Sequence, residues 1–467
     1  MMETSRSSGT STPVPLALSQ VNGHGKPYER PCFLSDAAKV SSIDGIRGLL
    51  KHEVPGVVSF VCITVAMQSR AGKPNPSTFP FQSIQLNLKP SLSSTSPDTE
   101  APLHLTIEGQ DLDHALQYGP SSGLVTLRKW LSDLQTHVHG RQQGDWTVCL
   151  GSGSQDLMTK GFAAVLNPGD PVLLETPLYA GVLPALRALN ADMIEVDVDD
   201  QGLSAESLES ILSAWPADKK RPKVVYSTPT GCNPSGCSAS KERKLAVLQV
   251  CKKYGLLMFE DDPYFYLAED LIPSYFELET QVFPEGGHVL RFDSFSKLLS
   301  AGLRLGYATG PKDLLSAIEV GNATYNLHTS SISQAVAYRL LQHWGISGFL
   351  DHSHAVAAFY AERRKVFEAI AHKHLDGLAT WVSPVAGMFL WIDLAPSGIT
   401  DTYNLVLTEA LAKGVLAVPG FSFYPLGRVS SHVRVSFSLV DLEVDADLGF
   451  KRLAEAIREK QKTLSGK

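Results

Sequence analysis

Cysteine is scarce. Six occur in 467 residues (Cys32, Cys62, Cys149, Cys232, Cys237 and Cys251), with no Cys-x-x-Cys pair and no matched histidine spacing. That pattern indicates neither a disulfide framework nor a zinc site, so no metal is expected and a reducing compartment fits best. No uninterrupted apolar run approaches the ~20 residues that a membrane-spanning helix requires, so no membrane partner is expected. An excess of positive charge is also missing: 41 basic against 48 acidic side chains leave a formal charge of −7, which argues against nucleic acid as the main partner. No segment repeats at a fixed period, and no heptad seam is sustained.

What is present is an ordinary globular composition, 43% apolar and 19% charged, long enough for two or three units around at least one large core. Residues 1–42 are rich in Ser, Thr, Pro and Gly and lack the apolar stretch of a secretory signal. A disordered extension on a cytoplasmic protein is expected, with an organellar transit segment as the alternative because Arg6 and Arg30 stand among many hydroxyls. The final Ser465-Gly466-Lys467 is no peroxisomal address.

Between Trp146 and Thr309 short β-branched runs alternate with helical stretches: Trp146–Leu150, Pro171–Glu175, Lys223–Thr228, Leu256–Asp261, Val289–Asp293 and Leu305–Thr309. This alternation predicts an α/β fold, a mainly parallel sheet covered on both faces by helices, with ligands at the carboxyl ends of the strands. After about Ser330 the pattern turns helical and then shows strands at Gly387–Asp393 and Val433–Phe437, which suggests a smaller α+β domain.

Four segments carry candidate chemistry, and each has a plainer explanation. Leu150-Gly-Ser-Gly-Ser-Gln155 follows a strand and opens a helix, where free amides suit a phosphate; taken alone, a bland strand-to-helix turn explains it better. Thr228-Pro-Thr-Gly-Cys-Asn-Pro-Ser-Gly236 makes a sharp turn that leaves Asn233 as a positioned amide, though an ordinary turn accounts for most of it. Phe259-Glu-Asp-Asp-Pro-Tyr264 puts carboxylates at the end of an apolar strand, costly unless paired, or else a helix cap. Asp293-Ser-Phe-Ser-Lys297 runs into Gly302-Leu-Arg-Leu-Gly306, delivering an amine, hydroxyls and a cation together. A surface lysine is the usual alternative, weakened here by the neighbouring strand and glycine-rich turn.

Order matters more than any single segment. Asn233, Asp261, Lys297 and Arg304 succeed one another at consecutive strand ends, as a clamp for one flat, phosphorylated, pyridine-like cofactor would require. These segments resemble the pyridoxal-phosphate aminotransferases of fold type I, the aspartate-aminotransferase-like class I/II enzymes, from about Ile46 to the C-terminus. The Ser-x-Ser-Lys…Gly-Leu-Arg-x-Gly signature is highly specific. A narrower likeness, to the fungal aromatic and animal kynurenine/2-aminoadipate aminotransferases, rests on Gly72-Lys-Pro-Asn-Pro-Ser-Thr-Phe-Pro-Phe81, Leu116-Gln-Tyr-Gly-Pro120, Glu260-Asp-Asp-Pro-Tyr264 and Leu303-Arg304.

The resemblance implies a large αβα domain at 101–335, a C-terminal small domain at 336–467, and an N-terminal arm with part of the small domain at 43–100. It implies pyridoxal 5'-phosphate as cofactor and a homodimer with shared sites. Lys297 would be its covalent anchor and the base that moves the proton, and Asp261 would pair with the ring nitrogen. Asn233 and Tyr264 would hydrogen-bond the phenolic oxygen, and Tyr179 would stack on the ring. Ser154, Gln155, Ser294, Ser296 and Arg304 would cradle the phosphate, and Tyr118 would reach the phosphate of the neighbouring subunit. Arg434 would grip the substrate α-carboxylate with Asn233. Phe389 and Phe423 match side-chain pocket positions, Gly72 the loop over the substrate, and Arg47 a mobile arginine for a distal carboxylate.

Two small departures lie beside Asn233: Cys232 stands where relatives often have Asn, Gln or His, and Ser235 replaces Thr. A larger one is Val61–Arg70, about nine extra residues, read as a retained in-frame intron or, alternatively, a loop extension. The expected activity is amino transfer from Trp, Phe or Tyr to a 2-oxo acid, 2-oxoglutarate or phenylpyruvate, with ping-pong kinetics, in primary metabolism or in supply of an aryl-pyruvate to a biosynthetic pathway. The alternatives are a kynurenine/2-aminoadipate aminotransferase, a fold-type I lyase cleaving C–S bonds or eliminating at Cβ, and a cofactor-binding regulator. Against the last stand the acidic balance and the lack of a winged-helix pattern before Ile46.

Overall fold

The computed structural model describes residues 20–21, 27–28, 30–40, 73–90, 92 and 103–466. Arg47, Gly72 and the Val61–Arg70 insertion lie outside the described residues. The chain divides into two units, Met1–Cys32 and Phe33–Lys467. In the first, β1 (Gln20–Val21) pairs antiparallel with β2 (Pro27–Tyr28).

The second unit begins inside the segment expected to be a disordered extension, and for Phe33–Val40 that expectation is corrected. Phe33 is completely buried in the main hydrophobic core, its ring edge-on to His288 at 5.6 Å. The Ser35 amide donates to Ala164 O at 2.7 Å. One buried aromatic ring is enough to dock eight residues, and average composition does not register it.

β3 (Ile84–Leu88) and β4 (Leu103–Ile107) form an antiparallel pair. The main sheet holds β5 (Trp146–Gly151), β6 (Pro171–Thr176), β7 (Asp192–Asp199), β8 (Gly202–Leu203), β9 (Val224–Ser227), β10 (Leu257–Asp261), β11 (Val289–Ser294) and β12 (Gly306–Pro311). Their spatial order is β5-β12-β11-β10-β9-β6-β7-β8. Every residue of β6, β9, β10, β11 and β12 is buried, because helices cover both faces and remove any reason for polar alternation. Phe259 of β10 meets Phe162 of helix Ser154–Val165. On the opposite face, the Glu260 carboxylate accepts from the amides of Tyr275 and Phe276 at 2.7 and 3.0 Å, at the start of helix Tyr275–Val282. The sheet is mainly parallel, as expected, but β12 runs antiparallel to both β11 and β5.

The helical segment Ser331–Leu375 is broken at Gly345, whose φ is +64°. Beyond the break Phe349 packs edge-on to Trp130 and Tyr266 of the large body. Only from Tyr360 onward does the helix enter the second core, with Phe367, Ile392, Val433 and Phe450. The division placed at 335/336 therefore precedes the start of that core. Around it lies a three-stranded sheet of β13 (Phe389–Asp393), β14 (Val418–Pro419) and β15 (His432–Ser436), in the order β13-β15-β14.

Candidate active site

Sheet order assembles the first part of the site. Gly306 of β12 pairs with Gly151 of β5 on one side and Ser294 of β11 on the other, which draws three distant turns together. A Cβ at Gly306 would stand 2.6 Å from the Ser154 amide nitrogen, so only glycine permits this approach. Helix Ser154–Val165 starts there without any capping side chain, leaving its first N–H groups to an outside acceptor. Beside it, Gly153 has φ +94°, and a Cβ would come 2.7 Å from Arg304 Nη2.

Arg304 itself adopts φ +50°. Its Nη1 donates to Ser296 Oγ at 3.5 Å and Ala301 O at 3.1 Å, and its Nη2 to Ser152 O at 3.4 Å. Ser294 Oγ accepts from the Ser296 amide at 3.2 Å. Gln155 donates to Gly181 O at 2.7 Å, while its buried Oε1 has no partner. Ser154, Gln155, Ser294, Ser296 and Arg304 thus lie on adjoining turns, a cationic, donor-rich arrangement of the kind a phosphate needs.

Lys297 follows β11 on a short 3₁₀ turn, with Nζ 5.9 Å from the centre of the Tyr264 ring. Burial first, and the Arg304 guanidinium second, hold its ammonium below the ordinary lysine range. The neutral amine, the form that is a base and nucleophile, is thereby favoured.

Asp261 ends β10, 2% exposed. Its Oδ2 accepts from the Tyr226 hydroxyl at 2.7 Å, whereas its buried Oδ1 has no donor. Burial pushes this carboxyl up to about 7, against the Tyr226 hydrogen bond and with help from Asp262, Asp293 and Glu175. Tyr264 and Tyr179 are both raised by burial first and by the Asp261 charge second, which places all three groups in one electrostatic neighbourhood.

The second domain contributes Arg434 from β15. Its Nη1 donates to Asn233 Oδ1 at 2.7 Å, and its guanidinium lies 4.3 Å from the Phe389 ring centre and 5.1 Å from that of Phe423. Phe389 in turn stands edge-on to Tyr264 at 6.3 Å. Arg434 Nε is buried and unpartnered. A cavity of about 400 Å³ is lined by chain neighbours of these residues, among them Pro177, Ser235, Cys237, Trp391 and His432, but by none of the candidate site residues. Tyr118 is 47% exposed, its ring against His328, and no contact joins it to the cradle within one copy.

Cys232 is accounted for by its surroundings. Its thiol donates to Glu175 Oε1 at 3.2 Å, and Ser227 donates to Oε2. Burial raises Glu175 to about 7 and keeps Cys232 protonated. Sequence reasoning missed Glu175 and Tyr226, because each acts through a neighbouring strand. The available signal was a polar residue near the end of an apolar strand.

Comparison with known proteins agrees with this geometry. The family model described as aminotransferase class I and II matches residues 93–447. The chain is 42% identical over 415 residues to aminotransferase tdiD of Emericella nidulans, covering 88% of this chain and 91% of that protein. It is 36% identical to the mitochondrial kynurenine/alpha-aminoadipate aminotransferase of Bos taurus (91% and 97% covered). To the aromatic amino acid aminotransferase C569.07 of Schizosaccharomyces pombe it is 31% identical (83% and 90% covered). Among solved structures, aminotransferase Aro8 from Candida albicans superposes with a TM-score of 0.81 at 26% identity, covering 92% and 98%.

The chain belongs to the class I and II aminotransferases. It is a pyridoxal-phosphate-dependent aminotransferase with the fold-type I architecture. The residues present fit that cofactor. Asp261 Oδ1 is a buried acceptor that a protonated ring nitrogen would satisfy, and the space guarded by Gly153 is what a phosphate oxygen needs.

Proposed function

We propose that the chain moves the amino group of an aromatic L-amino acid, Trp, Phe or Tyr, to 2-oxoglutarate or phenylpyruvate by alternate half-reactions. The observation that carries this reading is the Arg434 guanidinium held between the Phe389 and Phe423 rings and hydrogen-bonded to Asn233. A carboxylate clamp walled by aromatic faces suits a donor with one α-carboxylate and a flat apolar side chain.

Pyridoxal phosphate, when bound, supplies the electron sink and carries the amino group between donor and acceptor. The chain's own residues do the rest. Arg434 and Asn233 bind and orient the α-carboxylate. Lys297, its amine favoured by burial, would take the proton from the donor Cα and pass it to C4′ of the cofactor within the same half-reaction, and would run that transfer in reverse in the second. Asp261 would keep the ring nitrogen protonated, Tyr264 and Asn233 would orient the ring's phenolic oxygen, and Tyr179 would cover its face. Arg304, Ser294, Ser296, Ser154 and Gln155 would hold the phosphate.

The same reading takes the enzyme as a cytoplasmic homodimer with Tyr118 reaching across to its neighbour. The exposure of Tyr118 supports the dimer, and the composition supports the compartment. A second reading, kynurenine or 2-aminoadipate as donor, is favoured by the extent of the likeness to the Bos taurus enzyme. The test is the absorbance of the purified holoenzyme on adding L-tryptophan, L-phenylalanine, L-kynurenine or L-2-aminoadipate. Conversion to the pyridoxamine form by the first two supports the aromatic reading, and conversion by the last two alone replaces it. A bound cofactor that none of them converts moves the assignment to a lyase.

A further inference from the structure

Tyr226 lies next to the end of β9, in register with Phe259 of β10, so its side chain shares the sheet face of Asp261. It is fully buried. Its hydroxyl stands 2.7 Å from Asp261 Oδ2 and 3.3 Å from Thr228 Oγ1. The direction of this chain follows from valence. An ionised carboxylate only accepts, so the Tyr226 proton points to Asp261 and the Thr228 hydroxyl must donate to the Tyr226 oxygen. One oxygen of Asp261 is thereby occupied, and the other, Oδ1, is buried with no protein donor.

We propose that Tyr226, backed by Thr228, is a positioning residue: it selects Asp261 Oδ1 as the oxygen that meets the cofactor's ring nitrogen and keeps the shared proton on that nitrogen. The inference rests on Asp261 being the ring-nitrogen partner. A hydrogen bond to a carboxylate stabilises its charged form, and in a buried chain each bond polarises the next. The pair of Asp261 and ring nitrogen shares one proton, and only when that proton sits on the nitrogen does the ring draw electrons strongly. The Tyr226 donor biases the proton the right way.

The rest of the surroundings pushes the other way, which is why the donor matters. Glu175 of β6, the residue after the partner of Tyr226, lies on the sheet face opposite Asp261 and makes no ion pair among the described residues; it accepts from the Ser227 hydroxyl, the Cys232 thiol and the Thr228 backbone. On the reverse face Asp262 and Asp293 lie with Glu260 around the single guanidinium of Arg291, at 2.9, 2.8 and 3.1 Å, with the Lys244 ammonium close enough to act on Glu260 and Asp262. Three carboxylates against Arg291 and Lys244 leave excess negative charge directly behind Asp261. Tyr179 and Tyr264, on the cofactor side, are held neutral. Among these groups the Tyr226 hydroxyl is the one donating to Asp261.

The test uses holoenzyme loaded with pyridoxal phosphate carrying 15N at the ring nitrogen. In Tyr226→Phe the nitrogen resonance is expected to move toward its unprotonated position, and the cofactor dissociation constant to rise about tenfold. Turnover should fall with the donor KM nearly unchanged. Thr228→Val, which removes only the terminal donor, should shift the resonance in the same direction by less. If Tyr226→Phe fails to fold, Thr228→Val decides: a shift supports the proposal and none overturns it. An unchanged resonance and unchanged cofactor affinity in folded Tyr226→Phe overturn it as well. Asp261→Asn is the control for the underlying assignment: if it too leaves the nitrogen protonated, Asp261 is not the partner, and the error lies there rather than at Tyr226.

Discussion

Asp261→Asn, in protein stripped of cofactor, is expected to gain stability relative to the wild type as pH rises. Asp261 has a folded value of about 7 against an ordinary 3.8, so between those values the native state holds a proton that the unfolded chain has released. The stability this group contributes is full below about pH 3.8 and is lost as pH rises through about 7. Three pH units at about 1.4 kcal/mol each make about 4 kcal/mol, with no discount for solvent because the group is buried. Asparagine does not titrate and keeps an oxygen for the Tyr226 hydroxyl. Between pH 5.5 and 8, where acid unfolding of other carboxylates is avoided, the remaining difference is about 2 kcal/mol. For a chain of this length that is about 2 °C in Tm. Differential scanning fluorimetry of both proteins at the two pH values reads it directly. Glu260, raised to about 7 as well, titrates in both proteins and largely cancels, whereas Glu175, whose charge acts on Asp261, is relieved of that repulsion in the variant and moves the difference in the same direction. A Tm difference identical at pH 5.5 and 8, or a variant less stable at pH 8, refutes the reasoning. Tight cofactor binding should disappear in the same variant, which would make Asp261 a residue that trades stability for function.

Other changes have readable outcomes. Lys297→Ala should leave the cofactor bound but reduce turnover at least about a thousandfold, since anchor and base are lost together; near-normal turnover would exclude Lys297 as the base. Arg434→Lys keeps the charge but loses the planar fork that Asn233 and the two rings hold in place. It should lower kcat/KM for aromatic donors about a hundredfold while cofactor affinity measured by fluorescence stays constant. Gly153→Ala adds a Cβ 2.7 Å from Arg304 Nη2 at φ +94°; equilibrium dialysis should show a cofactor dissociation constant raised about tenfold or more.

Much of this site was legible in the chain because it is built from turns. Lys297, Arg304, Asn233 and Asp261 each sit in a short motif whose glycines, prolines and hydroxyls are tied to local geometry, at the end of a buried strand: Asn233 in the turn beyond β9, Asp261 closing β10, Lys297 just after β11 and Arg304 just before β12. Six strands were readable because continuous apolar runs bounded by turn residues leave little choice. β7 was not among them, since Asp192–Asp199 alternates acidic and apolar residues near the sheet edge, the pattern of a half-buried strand that a search for continuous apolar runs passes over. The reversal of β12 was equally invisible, because direction within a sheet depends on how connections close rather than on the residues of the strand. Phe33 escaped notice because one aromatic ring in a polar segment means nothing until the main core and His288 are beside it.

Local chemistry along the chain therefore determined which side chains could do the work, together with the α/β class and the kind of cofactor. What tertiary structure alone decided is how those side chains are paired. Strand order placed Gly306 between Gly151 and Ser294 and so drew together the turns proposed to cradle the phosphate. Packing of the second domain set Arg434 between two phenyl rings and against Asn233, 201 residues away in sequence. Register between β9 and β10 put the Tyr226 hydroxyl on Asp261. Each of these pairings is a short-range contact between residues remote in sequence, and contacts of that kind exist only once the sheet is formed.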